Sequence, residues 1–518
     1  MFSKLLSCIV AFSFVTSLIA MPLAGNYTIG GTSPDFTSIN AAIIALDSNG
    51  ISAPVIFNIR NGSYPELLFF SAVAGASPLN TITFQGESGD SSLVEINGAT
   101  TANQQNTLRL NQINYLTIKH LTFRQYPNVN NNAVVFINRG KYCTIENCEL
   151  FGHFSSNSSA TEYVVQGCND SNLVIRNSYL RGAVSGCYLG NPFFSHRNLL
   201  VDNCNVATSL FIDAGAFATI RGNTILARVL LQATSRAIIN NNYIQNTLQC
   251  ISSSGWPLQK MKIYNNVIIG GSAQGAVAYG FRASSSSDYD FYNNTIYMNT
   301  PTMSGYCIYA ETSSSGISIK NNIFYREDTL STNYIFRYPN AESYVGNIVS
   351  DHNLFYRNGT SFSNNYDSLA AFTNGTGLDS NSVYADPQFT SASNLYTTSA
   401  SVNNIGVPIS YITTDILGNI RSAFSPTIGA YENLLVTKNT SLKLLYKLGS
   451  LICYPNPASN KLTILHAKSS SIIIQNSLGE IVYSNANLNA FETIDVSKFA
   501  NGLYILISNN QHTKFIKK

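Results

Sequence analysis

Charge is the scarcest ingredient of this chain. Asp, Glu, Lys and Arg make up 11% of its 518 residues, against about 25% in ordinary soluble proteins. The formal net charge of +3 is scattered, with no basic block, so nothing supports a nucleic-acid partner. After residue 20 no apolar run is long enough to span a membrane as a helix. The six histidines are dispersed, and no metal-ligand spacing is present. Two or three neighbouring aspartates, the usual equipment for acid–base work, are missing as well. Tryptophan occurs once, at Trp256. Asn, Ser, Thr, Gly and Tyr carry the surface instead.

What is abundant is repetition. From Leu116 to Phe355 one short phrase is written ten times, starting at Leu116, Cys143, Leu173, Leu199, Ala218, Ala237, Met261, Tyr289, Ile317 and Ile348. The starts lie 19 to 31 residues apart, a spacing that signals a solenoid. The third column is apolar, from Ile118 through Ile175 and Ile239 to Ile319, and so is the eighth, from Phe123 to Phe355. Each segment is too short to bury one face alone, so stacked copies must bury it together.

The fifth column is mostly Asn: Asn147, Asn177, Asn203, Asn241, Asn265, Asn293 and Asn321, with His120, Gly222 and His352 as exceptions. Asn here sits where the chain must turn, and it tolerates left-handed backbone angles. At the strand spacing of about 4.8 Å, each amide can bond to the next. This column resembles the asparagine ladder of the right-handed parallel β-helix proteins of the pectate-lyase-like superfamily. The resemblance implies an all-β fold: a right-handed parallel β-helix solenoid over residues 25–432.

The ends read differently. Lys4, the apolar run Leu5 to Ile19, and Ala20 or Ala24 as a cleavage point make residues 1–20 a signal peptide. Ser33-Pro34 followed by Phe36, Ile39, Ile43 and Leu46 reads as an N-terminal capping helix. Gly62, Tyr64 and Glu66 resemble a segment of pectin methylesterases, whose catalytic motifs are otherwise missing, so this is read as an architectural turn. Asp386 to Phe389, Asp415 to Arg421 and Ile428 to Glu432 look like the closing segment of bacterial surface β-helix proteins and are expected to cap the other end of the coil. Residues 433–448 read as a linker.

Residues 449–518 form a separate module. Tyr454-Pro455-Asn456-Pro457 opens it, alternating strands follow at Lys461–Leu465, Ser471–Ile474 and Glu480–Tyr483, and Asn501-Gly502-Leu503-Tyr504 precedes a basic end. By alternation alone this is a small antiparallel β-sandwich. It closely resembles the C-terminal sorting domain of the type IX secretion pathway. That implies the type IX secretion machinery as a partner and delivery across the outer membrane, with release or attachment at the cell surface.

Without Cys8 in the leader, eight cysteines remain. Cys148 and Cys204 share the sixth column, but Ser178 separates them. Two strand spacings exceed the reach of a disulfide, so the cysteines are read as small core residues.

Candidate chemistry lies on outward columns. The fourth reads Lys119, Glu146, Arg176, Asp202, Arg221, alternating in sign. As a surface ion ladder each pair stabilises by at most about 1 kcal/mol. Acidic-sugar lyases of the resembled fold use Arg or Lys as base, often with calcium held by clustered carboxylates. The resemblance therefore makes Arg176 and Arg221 candidate catalytic residues, with Asp202 between them and Glu149 near, although no calcium site or other cofactor stands out. The ninth and tenth columns bring Tyr297, Tyr325 and Tyr356 beside Arg326 and Arg357, read as an exposed aromatic stack for a glycan or as cross-rung packing. Ser- and Gly-rich excursions at Gly152 to Glu162, Ser252 to Gln259 and Ala283 to Asp288 are expected to edge a binding surface. The resulting reading is a secreted or cell-surface protein that binds polysaccharide or serves a structural, adhesive role. A polysaccharide lyase or glycoside hydrolase is the alternative.

Overall fold

The computed structural model describes residues 21–99, 105–125, 133–152, 163–182, 186–189, 197–213, 215, 217–255, 259–270, 277–300, 304–311, 314–327, 334–337, 348–358, 362–363, 365–397, 399–433, 452–454, 457–465, 470–488, 491–508 and 511–518. The expected signal peptide, most of the expected linker and Trp256 lie outside these residues. The chain divides into two compact units, Met1–Asn433 and Leu434–Lys518.

The first unit is a parallel β-helix. Every turn adds one strand to each of three parallel sheets, of 13, 13 and 11 strands. The first sheet runs from Leu23–Ile29 to Ile348–Asp351, the second from Gly62–Tyr64 to Val383–Tyr384, and the third from Leu68–Phe70 to Tyr334–Arg337. The repeated phrase is the first and second sheets with the corner between them. Pairing is in register: Ile118 lies beside Ile145, Ile145 beside Ile175, and Arg176 beside Asp202. The third- and eighth-column side chains are buried in one continuous core. Each such aliphatic residue contributes roughly 1.5–3 kcal/mol of burial.

The fifth-column turn is as expected. All seven Asn residues have φ between 49° and 58°, and His120, Gly222 and His352 share that left-handed conformation. Along that column Asn203 donates to Asn177, Asn265 to Asn241 and Asn321 to Asn293, as expected, and a second, buried ladder runs one column later. Asn223, Asn242, Asn266, Asn294, Asn322 and Asn353 point inward. Each Oδ1 from Asn242 on accepts from the preceding Asn, at both its backbone N–H and its Nδ2. Each Nδ2 also donates to a strand carbonyl one turn back. All the amides therefore point the same way. The row ends where Asn353 Nδ2 donates to buried Asp379 at 2.9 Å. Burial pushes the Asp379 carboxyl up, against hydrogen bonds from Ser382 and Asn353.

Both ends differ from expectation. A rung precedes Val55: Leu23–Ile29 pairs with Ile51–Ile59. Thr28 holds Asp35 through a 2.7 Å bond to its carboxylate, and Phe36 bridges to Ile29. Residues around Pro34 therefore form a bend, with Ser33 at φ 48°, and helix α1 begins later, at Ile39–Asn49, capped by Ser38. The Glu66 carboxylate accepts from the first two helical N–H groups, of Ile39 and Asn40, which gives the Gly62–Glu66 turn a structural job. At the other end a second helix, α2 (Leu369–Thr376), brings Phe372 against Phe362 and Phe362 against Phe355. Phe362, Phe372 and Leu378 join the core there.

Residues 386–433, expected to cap the end, instead run back along the flank as a strap. Asn265, Asn293 and Asn321 donate side-chain N–H bonds to Thr414, Thr427 and Val407 carbonyls of the strap. The outward amides of the fifth column serve as its docking points, which is why the strap lies beside the coil and not across its end. Arg421 clasps it: Nη2 donates to Asn265 Oδ1 and the Gly429 carbonyl, both at 2.8 Å, and Nη1 to Thr427 O and Glu432. Asp415 receives the N–H groups of Leu417, Asn419 and Glu432.

The eight cysteines are free thiols, seven of them buried. Burial pushes Cys143, Cys148, Cys187 and Cys250 up to about 12, so these are inert core groups. Asp170 is a buried acid lifted to about 7 by burial, although it accepts from the Gly140 N–H at 2.8 Å. The folded protein thus keeps a proton that the unfolded chain releases near 3.8. Stability from this group is full below about pH 4 and is lost as pH rises through about 7, by an amount on the order of a few kcal/mol. Asp170→Asn is expected to flatten the fall in urea midpoint across that window. An equally steep fall in the variant would refute the assignment.

The second unit holds a three-stranded and a four-stranded antiparallel sheet around one small core of Leu462, Ile464, Ile472, Ile474, Ile494, Tyr504, Leu506 and Phe515.

Candidate functional site

The fourth-column residues come together as neighbours. Arg176 Nη2 is 2.7 Å from Glu146, and Arg221 grips both oxygens of Asp202 at 2.9 Å. Both arginines are exposed, and the hydrogen bonds to Asp202 push the Arg221 guanidinium up. Arginine held this way keeps its proton.

Tyr297, Tyr325 and Tyr356 do stack, with centroids 5.2 and 5.3 Å apart and ring planes within 9° and 24°. The expectation of an exposed stack is corrected. Tyr297 is 5% exposed, because strap residues Phe389, Leu395 and Ala430 pack over this part of the second sheet. The rings also cover each other's faces. Arg326 and Arg357 are 0% and 3% exposed. They follow the outward tyrosines by one residue, and strand alternation turns them inward. Arg326 Nη2 donates there to Thr300 at 2.7 Å.

A third set of outward residues escaped the sequence reading because the repeated phrase omits the third sheet. Its connections from the second sheet vary. Eleven residues separate Phe151 from Tyr163, and seven separate Arg326 from Tyr334. Only three separate Val206 from Leu210, Ile225 from Val229 and Ile244 from Leu248. The middle of the third sheet is therefore edged by the tightest corners. The excursion expected at Ala283 to Asp288 is no loop: strands Val277–Ser284 and Ser287–Tyr292 occupy it.

On this middle stretch planar groups and hydrogen-bonding groups alternate. Tyr188 donates to Asp213 Oδ2 at 2.7 Å and packs 5.5 Å from Tyr163. Arg228 lies 4.6 Å over the Phe211 ring, and burial pushes its guanidinium down. Further along, Arg282 sits 5.2 Å from the Tyr279 ring and 2.7 Å from Glu311. Burial would raise Glu311, but hydrogen bonds from Ser284 and Arg282 hold it below the usual range. Arg337 reaches Tyr306 OH at 3.1 Å. Burial, reinforced by Asp213, pushes the Tyr188 hydroxyl well up, so it is a donor and not a base at neutral pH.

Asp213 and Glu311 share one column, with Gln232, Ile251 and Ser284 between them. Four strand spacings put them roughly 19 Å apart, about twice the widest separation of a glycosidase carboxylate pair. Among the described residues no three His, Cys, Asp or Glu side chains converge as a metal site.

Residues 452–518 match the family of secretion system C-terminal sorting domains. The C-terminal unit is such a sorting domain. Sorting domains of this type IX kind direct export across the outer membrane, so the protein reaches the cell surface or the medium. No curated protein matches the sequence. Among solved structures, the coil is similar to XylC in complex with xylose, at 10% identity over 80% of this chain and 99% of that one, with a TM-score of 0.46. It is similar to pectate lyase Pel9A at 12% identity, 80% and 98% coverage, and a TM-score of 0.40. A pectin methylesterase from Aspergillus niger follows at 12% identity, 72% and 95% coverage, and a TM-score of 0.24. These likenesses are of architecture alone.

Proposed function

We propose that the sorting domain exports a polysaccharide-binding, structural β-helix whose ligand lies along the middle of the third sheet. One observation carries this reading: half-buried rings and guanidinium groups alternate with the Tyr188–Asp213 pair on the stretch with the tightest corners. Apolar ring faces suit the C–H faces of sugars, and fixed donors suit their hydroxyls. Because these side chains are already held by their neighbours, little rotamer entropy is lost on binding.

Affinity electrophoresis of the full chain against acidic and neutral polysaccharides tests this reading. Arg228→Ala with Tyr188→Phe is expected to weaken retention at least tenfold, or about 1.4 kcal/mol. Arg176→Ala, Arg221→Ala and the double variant Tyr325→Ala, Tyr356→Ala are expected to retain it. Retention lost in the second group alone would move the site to the ion ladder or the tyrosine stack. New reducing ends or unsaturated sugars, with or without calcium, would favour the lyase or hydrolase alternative, with Arg176, Asp202 and Arg221 the first residues to replace.

A further inference from the structure

The two outer faces of the sorting domain differ in chemistry. In its three-stranded sheet Leu462, Ile464 and Ile494 point inward, while Lys461, Thr493 and Asp495 point to solvent. That is the alternation expected of a sheet with one wet face. The four-stranded sheet breaks this pattern. Ile472, Ile474, Leu506 and Phe515 fill the core, yet Ile473, Leu503, Ile505, Ile507 and Ile516 among the alternate positions are apolar again, with Gln475 beside Ile505. Ile473 lies opposite Ile507, Leu503 opposite Ile516, and Ile505 falls between. Ile481, Leu503 and Ile516 are 59%, 44% and 45% exposed. Contiguous aliphatic surface of this kind marks an interface.

The rim is cationic and polar. Lys514 stands opposite Ile505 and His512 opposite Ile507. Lys514 also belongs to Gln511–Lys517, the strand at the sheet's edge. Lysine on an edge strand discourages edge-to-edge pairing, which leaves the face and not the edge as the contact surface.

We propose that this outer face is the surface by which the export machinery recognises the protein, seated in an apolar groove with an acidic rim. The occupant follows from what the domain does. As a sorting signal it must be read by the secretion apparatus, and among its described residues this is the apolar outer face. The inference is independent of any glycan bound by the coil.

The test uses the full chain in its own host. Leu503→Lys with Ile516→Glu removes the apolar pair but keeps an opposite-charge cross-strand pair, which sheets tolerate. Ile505→Thr keeps a β-branched strand former at the centre of the patch. Both are expected to cut surface and extracellular delivery at least tenfold, with the protein retained inside the outer membrane and its unfolding midpoint unchanged. Thr493→Glu, on the opposite face, is expected to be delivered normally. Normal delivery of the first two variants would overturn the proposal, as would equal loss in Thr493→Glu. A lowered unfolding midpoint in both first variants would overturn it too, because the face would then be packed within the molecule.

Discussion

Arg421→Ala is expected to destabilise the coil unit by about 3–5 kcal/mol, the usual cost of breaking a buried ion pair from one side. The guanidinium and Glu432 are 3% and 6% exposed, 3.2 Å apart. Removing Arg421 leaves the buried Glu432 carboxyl without its cation, and it also frees Asn265 Oδ1 and the Thr427 and Gly429 carbonyls. Lysine cannot replace the fork, so Arg421→Lys should recover only part of the loss. The loss should begin locally. Proteolysis within 386–433 is expected to precede global unfolding, and Tyr297 and Tyr325 should become open to quencher once Phe389 and Leu395 lift away. A denaturation midpoint within about 1 kcal/mol of the native protein would show that the clasp does not hold the strap.

The second large effect lies inside the coil. Asn294→Ala removes the acceptor for both Asn266 N–H groups, at 3.0 and 2.9 Å, and the donor to Ile263 O and Asn322. The Asn266 side-chain amide keeps the Ile239 and Tyr264 carbonyls, but its backbone N–H is stranded, which predicts a loss of about 1–3 kcal/mol. An exposed turn residue makes the contrast. Asn203 has φ 50°, and glycine meets that conformation without strain. Asn203→Gly is therefore expected to cost less than about 1 kcal/mol. Equal losses in the two variants, measured by urea denaturation, would contradict the assignment of the ladder to the sixth column.

That pair also shows how far the sequence could be read. The fifth column is conspicuous because a left-handed turn demands Asn there on nearly every rung. The sixth is Leu121, Cys148, Ser178 and Cys204 before it becomes Asn, since an inward position accepts any small or apolar group until a polar row begins. Periodicity therefore marked the turn with its outward amide bonds and hid the buried ladder. Register, core and sorting domain were legible because each rests on strict alternation. The strap was not, because what it docks on is a column of outward-pointing amides that reads the same covered or bare. Covering it reversed the exposure expected for Tyr297, and strand alternation buried Arg326 and Arg357. The Arg228, Phe211, Tyr188 and Asp213 group stayed invisible for a plainer reason. Third-sheet strands follow connections of three to eleven residues, and variable spacing leaves no column to read.

The tight central rungs carry an evolutionary consequence. Asp202 pairs with Arg221 and Arg221 with Asn240, so nineteen residues make one closed turn. Gain or loss of an odd number of residues within one of those strands would turn its inward side chains out, whereas the connections absorb length, as the longer turns show. A tandem duplication of one such turn would instead insert silently, passing the hydrogen-bonded register on to the next copy. Coils of this kind can therefore lengthen or shorten by recombination in whole turns, and the short rungs of equal length are where such events disturb the register least.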